Sequence, residues 1–177
     1  GIVRLRPLTP EDTEEQLGGQ DDEIVRWLTG RRNTEVEHRQ FLVGAQRAWL
    51  DGEPVFDLGI ESVDTGVLMG LVGLQSGLPY LVRGQVNLTY ALYPSARGLG
   101  IATRAMGLAM GLAVEIFDPT ELVIRADPEN VKSVAVARRL GFTVSHHTND
   151  AEGELDWYLY APRDRDASAA RRSTAST

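Results

Sequence analysis

The chain has 177 residues, 42% of them hydrophobic and 24% charged, the balance of a soluble globular fold with room for one sizeable core. The 18 Lys and Arg against 25 Asp and Glu leave a formal charge of −7, which argues against a general nucleic-acid binder, since gripping phosphates needs clustered cations. The absence of cysteine excludes disulfides, thiolate metal sites and a cysteine nucleophile, and with only 3 histidines no metal is expected.

Ile2, Val3 and Leu5, interleaved with Arg4 and Arg6, predict a short strand that stops at Pro7. Thr9-Pro10-Glu11-Asp12 carries the signals of a helix start: a capping Thr, Pro at the first helical position and acids in the first turn. That helix ends at Gly18-Gly19, and Asp21-Asp22-Glu23 opens another that carries Ile24, Val25, Trp27 and Leu28. Thr34-x-x-Glu37 has capping-box spacing and opens a longer helix to Leu50, closed by Asp51-Gly52. Val55, Phe56, Leu58 and Ile60, then a turn at Asp64-Thr65-Gly66, then the apolar run from Val67 to Leu74 predict an antiparallel hairpin. From Gly84 to Tyr93 the alternation of Val86, Leu88, Tyr90 and Leu92 with Asn87, Thr89 and Ala91 predicts a third strand, closed by Pro94.

From Gly100 to Phe117 the period is helical, with Met106, Met110 and Phe117 on a core stripe and Gly107 and Gly111 expected to permit close packing on the sheet. Leu122-Val123-Ile124 reads as a buried strand, and Asp127-Pro128-Glu129 as the start of a helix that Gly141 ends. Phe142-Thr143-Val144 and Leu155 to Tyr160 predict a final hairpin joined by a polar loop from Thr148 to Glu154. Pro162 to Thr177 is rich in Ser, Ala, Thr and Arg without apolar periodicity and reads as a disordered tail, leaving residues 1–161 as a single domain. No apolar run approaches the ~20 residues of a membrane span, and the N-terminus lacks the apolar stretch of a secretory signal. The expected setting is the cytoplasm.

The segment from Tyr93 to Thr103 carries the most chemistry. A strand ends, a loop holding Arg97, Gly98 and Gly100 follows, and a helix begins. The first amides of a helix lack internal partners and sit at the positive end of its dipole, so glycines there make an anion site. A P-loop needs Gly-Lys-Ser/Thr, where this chain has Gly100-Ile101-Ala102. A dinucleotide fingerprint needs a third Gly, where Thr103 stands. An Arg-x-x-Gly-x-Ala pyrophosphate loop is satisfied by Arg97, Gly100 and Ala102.

That loop, followed by Asn130-x-x-Ser133 and Leu140-Gly141-Phe142, resembles the GCN5-related N-acetyltransferases. The resemblance covers nearly all of residues 2 to 161 and is nearest the branch that acetylates the N-terminal amines of ribosomal proteins. It implies an α/β fold with a mixed, mostly antiparallel sheet, splayed at the centre, and helices on both faces. It implies acetyl-CoA as co-substrate, its pyrophosphate on the amides of Gly98, Leu99, Gly100, Ile101, Ala102 and Thr103, beside Arg97. Leu92 and Tyr93 would pair with the pantetheine arm as an added strand would. Asn130 would hold the pantetheine, and Arg138 is either a phosphate contact or a solvated helix charge.

Direct transfer to an amine needs no covalent intermediate, which suits a chain without cysteine. It needs the amine neutral, and a donor for the leaving thiolate. Many family members place a tyrosine four residues before the Gly-Phe pair; Ala137 stands there, and the resemblance assigns the thiolate to Ser133. Asn87 stands where the ribosomal branch often has a glutamate base, and Asn cannot take a proton. The remaining proton routes are water-linked carboxylates such as Glu61 or Asp127, or an acceptor that arrives neutral. His146 and His147 read as surface residues, and Trp27, Trp49 and Trp157 as core or acceptor-wall residues.

The expected activity is acetyl transfer to a protein or peptide N-terminal amine. A small amine such as an antibiotic or polyamine is one alternative, and a non-catalytic acyl-CoA-binding module another. No nucleic-acid or membrane partner is expected, and the chain is expected as a monomer or homodimer.

Overall fold

The computed structural model describes residues 2–150 and 153–162, so the expected tail lies, beyond Pro162, outside the described residues. β1 (Val3–Pro7) leads through a 3-10 turn (Pro10–Asp12) into α1 (Thr13–Gly19). α2 (Asp22–Ile24) runs on into a π turn (Val25–Thr29), and α3 (Glu35–Asp51) follows. Then come β2 (Val55–Ser62), β3 (Leu68–Ser76), β4 (Gln85–Leu92), α4 (Ile101–Phe117), β5 (Glu121–Ala126), α5 (Val131–Arg139), β6 (Thr143–Asp150) and β7 (Gly153–Tyr160).

The caps explain the starts. The Asp21 side chain accepts from the Ile24 amide, and Thr34 and Glu37 form the reciprocal box at α3. Gly52, at φ 67°, ends α3 in the left-handed conformation that glycine adopts without a Cβ penalty.

The strands form one sheet in the order β1-β2-β3-β4-β5-β7-β6. Every neighbouring pair is antiparallel except β4 and β5, which are parallel and joined through α4. That parallel pairing is short: Gln85, Val86 and Asn87 meet Glu121, Leu122 and Val123. Beyond it β4 stays with β3 as far as Leu92, and β5 stays with β7 as far as Ala126. The two halves of the sheet part at the centre, and a wedge opens between them.

One face of the sheet is apolar. Leu58, Val72, Leu74, Val86, Leu88, Leu122, Ile124 and Tyr158 pack on Ile101, Ala105, Met106, Ala109 and Ala113 of α4. The alanines let α4 lie close to the strands, and the helix is held there by burial of apolar surface at about 25 cal/mol per Å². On the other face Leu42 of α3 joins Leu8, Ile24, Leu68, Ala91 and Tyr93 in a smaller cluster. At the sheet edge Trp49 packs edge-on against Phe56, ring centroids 5.2 Å apart.

Three local expectations are corrected. The last helix starts at Val131, not at Asp127-Pro128-Glu129: Asp127 instead accepts the Glu129 amide at 2.7 Å in a tight turn, and Asn130 caps the helix. The polar stretch from Thr148 onward is strand rather than loop, because β6 and β7 pair out to Asp150 and Gly153. Gly107 and Gly111 face solvent, with open space where a Cβ would stand, so they serve no close packing.

Candidate active site

The wedge between β4 and β5 is a cleft of about 830 Å³. The first turns of α4 and α5 both border it, because each helix follows directly from a splayed strand.

At the α4 end, Gly98 and Gly100 have φ of 76° and 74°, conformations that strain any residue with a Cβ. These turns bend the loop so that the chain enters the helix beside the cleft. Gly100 is the N-cap and no side chain caps the helix, so the amides at its start are left to a ligand. This backbone cradle fits a phosphate-bearing ligand.

Arg97 is held by acids at the start of α2. Its Nη1 and Nη2 donate to the two carboxylate oxygens of Asp21 at 2.6 and 2.9 Å, and Nη1 also reaches Glu23 at 3.1 Å. Its Nε donates to the Leu92 carbonyl at 3.1 Å. The guanidinium therefore ties the loop to α2 and holds the Asp21 carboxyl down to about 2. Glu23 also takes Lys132 of α5 at 2.8 Å, and Arg26 pairs with Glu129 at 2.8 Å. Ile24, Trp27 and Leu28 of the strapped segment line the cleft.

At the α5 end, Asn130 Oδ1 accepts the Ser133 amide at 3.1 Å. That bond leaves the Ser133 hydroxyl to the cleft, next to the Tyr90 phenol of β4. Burial pushes the phenol up, and Ser133 works against it. Ala137, one turn on, is fully buried in the core. On the opposite side Arg125 lines the cleft and is backed by aromatics outside it: its guanidinium lies 3.5 Å above the Tyr80 ring, Tyr80 meets Trp157 edge-on at 5.8 Å, and His146 stacks on Trp157 at 4.8 Å. His147 turns away to Asp156 at 3.1 Å.

Of the residues singled out in the sequence, Leu92, Arg97, Gly98, Gly100, Ile101, Ala102, Thr103, Asn130 and Ser133 line the cleft. Leu99 is exposed, Tyr93 is buried with its ring against Gly19, and on α5 Arg139 lines the cleft where Arg138 does not. Asn87 sits at the apex, the last residue of β4 paired with β5, only 2% exposed. Its Nδ2 donates to Gln75 at 3.2 Å, and its Oδ1 has no partner among the described residues. Glu61 is held between Arg4 and Arg6 away from the cleft, its carboxyl below the usual range. Asp127 lines the cleft. Sequence reasoning passed over Thr89, Tyr90, Arg125 and Arg139, which only the splay brings together.

A family model described as an acetyltransferase (GNAT) domain matches residues 3–143. The chain belongs to the GNAT acetyltransferase family. The spermidine N(1)-acetyltransferase of Escherichia coli K12 is 26% identical over 159 residues, 86% of this chain and 75% of that protein. Two solved structures share the fold. A ribosomal-protein-S5-alanine acetyltransferase from Vibrio fischeri has TM-score 0.78 and 15% identity, covering 93% of this chain and 95% of that one. A ribosomal L7/L12 alpha-N-protein acetyltransferase in complex with coenzyme A has TM-score 0.77 and 20% identity, covering 90% and 93%. The protein is an N-acetyltransferase, and acetyl-CoA is its acetyl donor.

Proposed function

We propose that this acetyltransferase moves the acetyl group in one step from acetyl-CoA to a primary amine, with the α-amine of a protein or peptide as the favoured acceptor. One observation carries the site: the β4–β5 pairing stops at Asn87 and Val123, and both helix starts meet in the gap. The amides from Gly98 to Thr103 hold the pyrophosphate, with Arg97 shaping the loop. The strand end at Leu92 and Tyr93 guides the pantetheine, and Asn130 positions Ser133. The Ser133 hydroxyl, backed by Tyr90, donates to the sulfur as negative charge develops on it. The thioester supplies an activated carbonyl, so the chain needs no nucleophile of its own.

The α-amine reading rests on proton affinity. An α-amine has a pKa of about 7.7–8.0 and a lysine amine about 10.4, so the first is far easier to present neutral. With Asn87 in place of a strong base, the weaker amine suits the site. A polyamine is the second reading, supported by the spermidine N(1)-acetyltransferase relative. Among the described residues no helix is long and apolar enough to cross a membrane. We place residues 1–161 in one domain acting on a cytoplasmic acceptor. A screen of N-terminal peptides and polyamines, following release of free thiol from acetyl-CoA, tests the reading. Acetylation of neither class, with acetyl-CoA bound in the cleft, would overturn it in favour of an acyl-CoA-binding module.

A further inference from the structure

The sheet face opposite α4 carries a polar row that crosses three strands. The register sets Asp57 of β2 opposite Gly73 of β3, and Gly73 opposite Thr89 of β4. Paired residues share a face, so Asp57 and Thr89 look toward each other over a residue with no side chain. A Cβ on Gly73 would lie 2.5 Å from Thr89 Oγ1 and 3.5 Å from Asp57 Oδ1. Both oxygens therefore border one small space that any larger residue would close. One pair further along lie Gln75 and Asn87, whose free Oδ1 adds a buried acceptor to the same face.

Thr89 lines the cleft; Asp57 does not. We propose that Asp57 is the proton acceptor of the acetyl transfer, reached from the cleft through the Thr89 hydroxyl. This rests on the direct-transfer reading above and supplies the base that Asn87 cannot be. In the step, the acceptor ammonium gives one proton to the Thr89 oxygen while Thr89 passes its own to Asp57, with a solvent water bridging the gap over Gly73. The nitrogen lone pair forms the C–N bond, the C–S bond breaks with its electron pair on sulfur, and the second N–H proton goes to the thiolate. Asp57 then releases its proton to solvent.

The charge environment agrees. Asp12 and Glu61, the acids buried deepest, are both paired with Arg6, whereas Asp57 has no ion-pair partner among the described residues. Burial alone pushes its carboxyl up to about 6. A base in that range is ionised at neutral pH and still binds a proton well enough to relay it.

The test uses Asp57→Asn, Thr89→Val and Thr89→Ser, with spermidine and a peptide bearing a free N-terminal serine as acceptors. Calorimetry with acetyl-CoA comes first: loss of binding in the wild type counts against the cleft reading, and equal binding in all variants isolates the proton step. The expected result is a fall in kcat of about 100-fold or more in Asp57→Asn and Thr89→Val. The acceptor KM should change little, Thr89→Ser should recover most of the rate, and the acidic limb near pH 6 should vanish in Asp57→Asn. An unchanged kcat and pH profile in Asp57→Asn overturns the proposal. If the wild type acetylates neither acceptor, infrared titration of the carboxyl band decides. A band that titrates near pH 6 and disappears in Asp57→Asn supports the proposal, and a band that titrates in the ordinary carboxylate range overturns it.

Discussion

The two walls of the cleft are made of different material. The wall proposed to hold the donor is mostly backbone, the start of α4 after Gly98 and Gly100, joined at the start of α5 by the Asn130 and Ser133 side chains. The wall proposed to take the acceptor is side chain: Thr89 with Asp57 behind it, Arg125 packed against Tyr80 and Trp157, and the strapped segment with Trp27. A backbone cradle comes from a few contiguous residues and depends on helix geometry alone. A side-chain wall needs residues from β2, β4, β5, β7 and α2 brought together, and each can change without disturbing the cradle.

Breaking the donor wall at its reactive end has the largest expected effect. Ser133→Ala keeps the amide that Asn130 caps and removes only the hydroxyl. Turnover at saturating substrates should fall by roughly 10²-fold or more while acetyl-CoA affinity holds. An equal rate with chemistry limiting would take Ser133 out of the mechanism.

The acceptor wall gives a stability signature of opposite sign. The Asp57 carboxyl is raised from 3.8 to about 6, so the folded state holds its proton where the unfolded chain has lost it. Its contribution is fully present below the unfolded value and is lost as pH rises through 6. Above that pH the folded chain carries a half-buried charge with no ion-pair partner among the described residues, a cost of about 2–3 kcal/mol. Asp57→Asn should therefore melt at higher temperature than wild type at pH 8 and at the same temperature near pH 3.5. A mutant destabilised at pH 8 would show that the carboxylate is paired in solution.

Gly100→Val tests the cradle itself. Nothing lies within contact distance of the added Cβ except the end of the Arg104 side chain at 3.8 Å, so the penalty comes from φ at 74°. Forcing a residue with a Cβ there costs about 1–2 kcal/mol, and acetyl-CoA affinity should drop roughly 10-fold. Calorimetry on the folded variant reads this directly, and unchanged affinity would move the pyrophosphate elsewhere.

The smallest effect sharpens the boundary between the walls. Asp21→Asn keeps an N-cap on α2 and removes one carboxylate from Arg97. Loosening this tie should weaken acetyl-CoA two- to five-fold, within the range of exposed ion pairs. Tighter binding would mean that Arg97, released toward the cleft, contacts the donor itself rather than shaping the loop.

Residues contiguous in the chain were legible before any coordinates. The glycine loop, the Asn130–Ser133 spacing and the capping box at Thr34 each work over four to six residues, where local geometry decides the outcome. The helix boundary at Asp127 and the length of the last hairpin were not legible. A tight turn mimics a helix start, and a polar strand exposed along most of one side carries no apolar alternation. Asp57 did leave a signal, a carboxylate inside the apolar run Val55, Phe56, Leu58, Ile60, but nothing in that run says what it faces.

The sequence by itself determined the order of elements and the glycine-bearing start of α4, because propensity, capping and glycine conformation act between near neighbours; the parallel pairing of β4 with β5 came only with the sheet. Only the tertiary structure decided that Arg97 is strapped to α2, that Tyr90 stands beside Ser133, and that Asp57 and Thr89 share a face across Gly73. Those contacts join residues tens of positions apart, and the register of the sheet sets them: a slip of one residue would turn Asp57 to the opposite face.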